Sequence, residues 1–200
     1  MQAATISYVI GKNLYLNITD RCTLVCEFCP KTQGSQQVHD YDLTLAKRPE
    51  LEDIINAMGD PAAYDQIVFC GYGEPTLRLK VLLQVAAYIK ERGGRVRINT
   101  DGLANLVNKR NVLPEMQGLV DAVSVSMNAQ TEALYIQHCA PQLKGAWQAM
   151  LDFLAAAPAY IPDVTATAID GLAGVDIEAC AKLAAERGVG FRARQLGVVG

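Results

Sequence analysis

The sequence predicts an α/β fold, a single-domain partial (β/α)6 barrel with parallel strands. Strand-like and helix-like segments alternate along the chain, and the connections between strands are long enough to hold helices, which is typical of a parallel sheet. About six such units fit, fewer than the eight of a closed barrel, so an open TIM-like barrel is expected. No linker or low-complexity run divides residues 1–200, which indicates one domain. A flat, doubly wound sheet is the alternative architecture.

The predicted strands are segments in which apolar and polar residues alternate, or in which a short apolar run ends at a turn. The first two flank a Gly-Lys pair and are expected to form a hairpin. The third is an apolar run that ends in a Gly-Tyr-Gly turn. In chain order the predicted strands are residues 5–10, 13–19, 67–70, 96–99, 122–128, 164–169 and 191–195.

The predicted helices are segments whose apolar residues recur at intervals of three and four, the spacing of one helix face. The second of them stops at a Gly-Gly pair, residues 93–94. The polar stretch 31–42 lacks this periodicity and is expected to be a surface loop over the end of the sheet. The predicted faces are Leu51, Ile54, Ile55 and Met58; Leu82, Val85, Ala86 and Ile89; Trp147, Met150, Leu151 and Leu154; and Ile177, Cys180, Ala181 and Ala184.

Composition and charge exclude several classes of protein. Lys and Arg number 18 against 21 Asp and Glu, and no basic stripe appears, so no nucleic-acid footprint is visible. No apolar stretch approaches the roughly 20 residues that cross a bilayer, so no membrane association is expected. The first residues lack the features of a signal peptide, which predicts a cytoplasmic, reducing location. The six cysteines should then be thiols or metal ligands rather than disulfides.

Several predicted strands carry polar residues on one face near their C-terminal ends. In residues 123–128, valines and a methionine alternate with Ser124, Ser126 and Asn128, and Asn99 alternates with apolar neighbours in the same way. A strand buried on both faces normally reads as apolar throughout. These residues therefore predict a polar ligand pocket at the C-terminal ends of the strands. The alternative is a set of buried polar groups that bond to the local backbone.

Three cysteines lie close together in the motif Cys22-Thr-Leu-Val-Cys26-Glu-Phe-Cys29. Three soft thiolate ligands suit an iron–sulfur cluster or zinc. A structural zinc site needs four ligands, and although His39 could be the fourth, the sequence offers no second ligand pair. A 4Fe–4S cluster on three cysteines would leave one iron open for chemistry. Three unrelated thiols are the remaining alternative.

The cysteine motif, directly after a strand and with Phe28 before its last cysteine, resembles the radical S-adenosylmethionine (SAM) superfamily. Residues 71–75, Gly-Tyr-Gly-Glu-Pro, resemble the GGEP element of that family, with a tyrosine between the two glycines. Residues 99–102, Asn-Thr-Asp-Gly, resemble its TNG element, with Asp101 where asparagine is usual. Residues 8–11, 68–76 and 119–124 look like the short TatD-associated radical SAM proteins.

This resemblance implies that Cys22, Cys26 and Cys29 ligate three irons of a 4Fe–4S cluster and that the fourth iron binds SAM. Reductive cleavage of SAM to methionine and a 5′-deoxyadenosyl radical, which abstracts hydrogen from an unidentified substrate, is the implied reaction. Phe28 is expected to pack near the adenine, and the strand-end residues to contact the ribose and carboxylate. The expected cofactor-binding residues are Phe28, Gly71, Tyr72, Gly73, Glu74, Asn99, Ser126 and Asn128.

The implied partners are a reductant such as flavodoxin or ferredoxin and a TatD-type nuclease. A glycyl-radical activating enzyme and a 7-carboxy-7-deazaguanine synthase-like enzyme are alternatives within the superfamily. A non-catalytic interaction protein that binds a cluster or zinc is the alternative of another class.

Lys31 and His39 are candidate substrate contacts. Thr167, Arg192 and Arg194 could bind a ligand, and the alternative for them is ordinary packing in the barrel or a surface ion pair. The spacing of Cys70, Cys139 and Cys180 predicts no auxiliary cluster.

Overall fold

The computed structural model of the protein describes residues 5–197; residues 1–4 and 198–200 of the predicted domain lie outside the described residues. The strands are β1 (Ser7–Ile10), β2 (Asn13–Leu16), β3 (Gln37–Val38), β4 (Tyr41–Asp42), β5 (Gln66–Phe69), β6 (Val96–Thr100), β7 (Ala122–Ser126), β8 (Asp163–Asp170) and β9 (Gly190–Gln195). The α-helices are α1 (Leu51–Met58), α2 (Leu79–Glu91), α3 (Ala104–Asn108), α4 (Leu113–Met116), α5 (Glu132–Cys139), α6 (Ala146–Ala156) and α7 (Ile177–Glu186).

Seven strands form one sheet in the order β1-β2-β5-β6-β7-β8-β9. The first pair is an antiparallel hairpin, and every other neighbouring pair is parallel. Each new strand is added on the same side as the last, as in a barrel, whereas a doubly wound sheet reverses direction part-way. Because β1 and β9 do not pair with each other, the barrel is open. The predicted fold class is confirmed, with β1 as an antiparallel addition.

The main apolar core lies between one face of the sheet and the helices. Phe69, Ile98 and Val125 on successive parallel strands are fully buried in it, as are Leu82 of α2 and Leu154 of α6. The opposite face of β6 and β7 carries polar residues, which the alternation in the sequence predicts to lie in the barrel interior. None of the helices within residues 5–197 is long and apolar enough to cross a membrane.

The structure adds elements that the apolar spacing does not predict. Helices α3 and α4 are too short to show a helical period. Helix α5 buries Tyr135, His138 and Cys139, so polar side chains occupy part of its inner face and hide the apolar pattern. The stretch 31–42 was expected to be a loop throughout, but its second half forms the β3–β4 hairpin, in which Val38 is buried.

Candidate active site

The cysteine loop follows β2 and lies at the C-terminal edge of the parallel strands. Cys22, Cys26 and Cys29 are all partly exposed free thiols. Two backbone hydrogen bonds fix the loop to the end of α5: the N–H of Val25 donates to Cys139 O at 3.0 Å, and the N–H of Glu27 donates to His138 O at 3.0 Å. These two bonds lie on either side of Cys26 and hold the middle of the loop against α5.

The loop after β5 packs directly on the segment that leads into the cysteine loop. The N–H of Glu74 donates to Arg21 O at 2.7 Å, and the N–H of Tyr72 donates to Asn17 Oδ1 at 3.0 Å. A Cβ atom at Gly73 would lie 2.8 Å from Arg21 N, and one at Gly71 would lie 2.6 Å from Asn17 Cα. Both glycines are therefore required by contact between the two loops, a reason that the sequence alone does not reveal.

Glu74 is buried, with only 4% of its surface exposed, and its carboxylate is satisfied by protein groups. It accepts hydrogen bonds from the backbone N–H and hydroxyl of Thr76 at 2.9 and 2.6 Å, from the Thr100 hydroxyl at 2.8 Å and from the N–H of Asp101 at 2.8 Å. Burial and the neighbouring Asp101 charge raise the pKa of Glu74 to about 8, although these hydrogen bonds partly offset the effect. The side chain thus connects the ends of β5 and β6.

Asp101 links this network to the cysteine loop. Its carboxylate accepts a hydrogen bond from the hydroxyl of Thr23, next to Cys22, and another from the N–H of Leu103 at 2.9 Å. Burial raises the pKa of Asp101. The aspartate that replaces the usual asparagine of the TNG-like motif therefore serves as an acceptor for the threonine beside the first cysteine.

Two asparagines each present a buried oxygen without a protein partner among the described residues. Asn99 hydrogen-bonds to the thiol of Cys70, and its Oδ1 is unpaired. Asn128, only 2% exposed and in the left-handed conformation at φ 61°, donates from Nδ2 to Cys139 Sγ at 3.5 Å. Its Oδ1 is also unpaired. Buried acceptors are normally satisfied, so these two indicate a ligand that donates hydrogen bonds.

The surroundings of Phe28, Tyr72 and Ser126, the remaining predicted cofactor residues, do not point to a particular ligand. Phe28 is partly buried against the main core. Tyr72 packs on a second apolar cluster, and its buried hydroxyl has no partner among the described residues. Ser126 is partly exposed at the end of β7. Their role in binding SAM stays a prediction.

The candidate residues outside the motifs have diverse surroundings. Thr167 is buried and donates from its hydroxyl to Val125 O at 3.3 Å, which is ordinary packing between neighbouring strands. The ammonium of Lys31 donates to Asp20 O and lies 5.9 Å from the ring centre of Tyr72. His39 is exposed, with φ 51°.

Cys139 belongs to the site although its position in the sequence gives no sign of this. Its fully buried thiol hydrogen-bonds with the thiol of Cys26. This bond, together with burial, raises the pKa of the Cys26 thiol. Cys139 stands between a histidine and an alanine in a segment not predicted to be helical, so the contact could not have been found without the fold.

The arrangement of the thiols bears on the choice between zinc and a cluster. Within residues 5–197, no three or more His, Cys, Asp or Glu side chains converge in a way that would hold a single metal ion. A structural zinc ion needs four ligands around one centre. A cluster with several irons can instead bind each thiolate through a different iron.

A sequence comparison identifies the family. The family model described as the radical SAM superfamily matches residues 16–186, which include the three cysteines of the loop and the segments 71–75 and 99–102. The chain belongs to the radical SAM superfamily. Radical SAM proteins are enzymes that use a 4Fe–4S cluster and SAM, and the partly exposed thiols beside two unpaired acceptors fit both groups.

Two curated relatives share part of this radical SAM domain. A tungsten-containing aldehyde ferredoxin oxidoreductase cofactor-modifying protein from Pyrococcus furiosus is 31% identical over 120 residues, covering 58% of this chain and 31% of the relative. An Fe-coproporphyrin III synthase from Methanosarcina barkeri is 37% identical over 86 residues, covering 43% of this chain and 20% of the relative. The matches thus span under a third of either relative's length.

A solved structure shows the same architecture. The crystal structure of Streptococcus suis SuiB matches 94% of this chain and 40% of its own, with a TM-score of 0.68 and 12% sequence identity. At this identity the likeness concerns the fold alone. It agrees with the open parallel barrel described above.

Proposed function

We propose that this radical SAM enzyme holds its cluster through Cys22, Cys26 and Cys29. The observation that supports this is the loop of three partly exposed thiols, which is fixed to α5 on one side and to the loop of residues 71–75 on the other. When bound and reduced, the cluster supplies cleavage of SAM to methionine and a 5′-deoxyadenosyl radical, which removes a hydrogen atom from the substrate.

The protein's own residues position SAM and keep the site rigid. The unpaired oxygens of Asn99 and Asn128 are suited to accept hydrogen bonds from its ammonium and ribose hydroxyls. The backbone of Gly71 to Gly73 and the side chain of Phe28 complete the proposed SAM site. Glu74 supports it by fixing the strand ends, since its carboxylate is already occupied by protein donors.

Cluster ligation is tested by anaerobic reconstitution with iron and sulfide. The wild type is expected to bind about four iron and four sulfide per chain and, with dithionite and SAM, to release 5′-deoxyadenosine. Cys26→Ser should abolish both the binding of iron and sulfide and the release of 5′-deoxyadenosine. Cys180→Ser is the matched control, because Cys180 is a buried thiol on α7, and this variant should behave as the wild type.

Two outcomes would contradict the proposal. Stoichiometric zinc in place of iron would assign the thiols to a structural ion and favour the non-catalytic alternative. Full iron content in the Cys22→Ala, Cys26→Ala, Cys29→Ala triple variant would place the cluster elsewhere.

The finer assignments stay predictions. Membership of the TatD-associated group implies a TatD-type nuclease partner, which co-purification from the native cell tests directly. A flavodoxin or ferredoxin as electron donor is tested by replacing dithionite with each reduced protein in the same assay. The cytoplasmic location is a further prediction, tested by cell fractionation.

A further inference from the structure

The inner face of the sheet is divided into two parts of opposite character. On the side of β1, β2 and β5, the second apolar cluster fills the interior with its buried members Tyr8, Tyr15, Val38, Leu43 and Val68. The rings of Tyr8 and Tyr15 stack with centroids 5.3 Å apart, and the β3–β4 hairpin contributes Val38. This half of the interior is occupied by the chain itself.

The other half contains a cavity of about 140 Å³ lined mostly by polar side chains. Its lining includes the first or second residue of several strands, so it lies toward the N-terminal ends, away from the cysteine loop. The polar and charged lining residues are Gln66, Arg97, Ser124, Asp163, Thr165 and Arg192. The cavity is smaller than the roughly 300–1,000 Å³ of pockets that enclose a whole ligand. It therefore suits one functional group of a larger molecule.

The charge in this cavity is predominantly positive although the whole protein carries a net charge of −3. Arg97 and Arg192 line the cavity together with one carboxylate, that of Asp163, which accepts a hydrogen bond from the Thr165 hydroxyl at 3.3 Å. Arg194 follows two residues after Arg192 on β9 and so shares its face. None of the ion pairs found among residues 5–197 includes these three arginines.

Arg97 carries a buried donor group that a ligand in this cavity could bind. Its Nη2 donates to the hydroxyl of Tyr15 at 3.2 Å, but its Nε is buried without a partner in the described part of the chain. A buried, unpaired guanidinium N–H is unfavourable, and an anion would relieve it. Arginine also binds oxyanions through two parallel hydrogen bonds, which makes it suited to carboxylate and phosphate groups.

We propose that this cavity binds an oxyanion group of the substrate, a carboxylate or a phosphate, through Arg97 and Arg192. The proposal rests on the proposed function, which places the reacting end of the substrate at the cysteine loop. The proposal requires the anionic end of the substrate to reach the N-terminal ends of the strands, on the polar side of the barrel interior. The enzyme selects anionic substrates for this reason.

Calorimetric titration of the anaerobic, cluster-loaded protein tests the site with two probes, inorganic phosphate and succinate, at constant ionic strength in chloride. We expect saturable binding of at least one probe at one site per chain. Binding of phosphate alone identifies a phosphate group, and binding of succinate alone identifies a carboxylate. Arg97→Gln or Arg192→Gln should weaken binding at least about tenfold, the effect of losing a charge-assisted hydrogen bond.

Arg95→Gln is the matched control, because Arg95 is exposed, precedes β6 and does not line the cavity. It should leave the affinity unchanged. Arg192 is itself exposed, so Arg192→Gln tests the site even if Arg97→Gln fails to fold. Absence of saturable binding for both probes, or an equal loss in Arg95→Gln, would overturn the proposal.

The same titration on Cys26→Ser separates this inference from the proposed function. Anion binding that persists in Cys26→Ser, together with a wild type that makes no 5′-deoxyadenosine, would leave the anion site standing while the radical chemistry fails. If the wild type makes 5′-deoxyadenosine but binds neither anion, the proposed function stands and the anion site is wrong.

Discussion

Cys139 raises the question of which three of four neighbouring thiols hold the cluster. It lies against Cys26 but is fully buried, accepts a hydrogen bond from Asn128 and is part of α5. Cys22, Cys26 and Cys29 are partly exposed and belong to one loop. We infer that Cys139 packs against the proposed ligands and does not bind the cluster, because it is fully buried on α5, outside the loop that carries the other three cysteines.

Replacement of Cys139 by alanine should therefore leave the iron and sulfide content close to that of the wild type. The removed sulfur leaves a small cavity, which we expect to lower the free energy of unfolding by about 1–2 kcal/mol. Metal analysis and thermal unfolding of the reconstituted variant measure both effects. If Cys139→Ala lost as much iron as Cys26→Ala, Cys139 would have to be counted as a ligand.

At the scale of elements, the site depends on how closely two loops approach. The segment before Cys22 and the loop after β5 share backbone hydrogen bonds and leave no room for a side chain at Gly73. The neighbouring atoms around Gly73 are backbone atoms of Asp20 and Arg21, which cannot rotate away. The position of the cysteine loop is thus determined by a glycine in a different βα unit.

Gly73→Ala should separate the two loops and disturb the cysteines. We expect a loss of about 1–3 kcal/mol in stability, as for other overpacked sites, and a large loss of bound iron. Gly190→Ala is the matched control, because a Cβ there would make only ordinary contacts, the nearest at 3.5 Å from the Thr165 hydroxyl. Iron content and unfolding midpoints of the two variants measure these effects. Equal iron content in both variants would show that the contact at Gly73 does not position the cysteines.

At the scale of the whole molecule, the sequence predicts the helices and strands better than it predicts the contacts inside the barrel. Helix α1 spans the predicted residues 51–58, because its apolar face and its Glu50–Asp53 N-terminal hydrogen bond are both local features. The alternation of strands and helices predicts a parallel sheet, but the strand order that distinguishes an open barrel from a doubly wound sheet comes from the structure. The Cys26–Cys139 contact and the arginine-lined cavity join residues far apart in the chain, so no local pattern could reveal them.

The buried pair Glu74 and Asp101 gives the whole molecule a pH-dependent stability. Because the folded state raises the pKa of Glu74 to about 8, above its ordinary value of 4.5, the folded protein binds more protons than the unfolded chain between these values. The stability that this group contributes is therefore fully present below about pH 4.5 and is lost as the pH rises through about 8. The fall should amount to a few kcal/mol at most.

Glu74→Gln removes this titration while keeping the size and most hydrogen bonds of the side chain. We expect the unfolding midpoint of the wild type to fall between pH 5 and 8 and that of Glu74→Gln to change less over the same range. Glu74→Ala, which leaves four buried donor groups without their acceptor, should be destabilised at every pH by about 2–4 kcal/mol. Parallel profiles for the wild type and Glu74→Gln would show that Glu74 does not titrate in this range. The rigidity of the strand ends beside the cysteine loop would then come from a permanently ionised carboxylate.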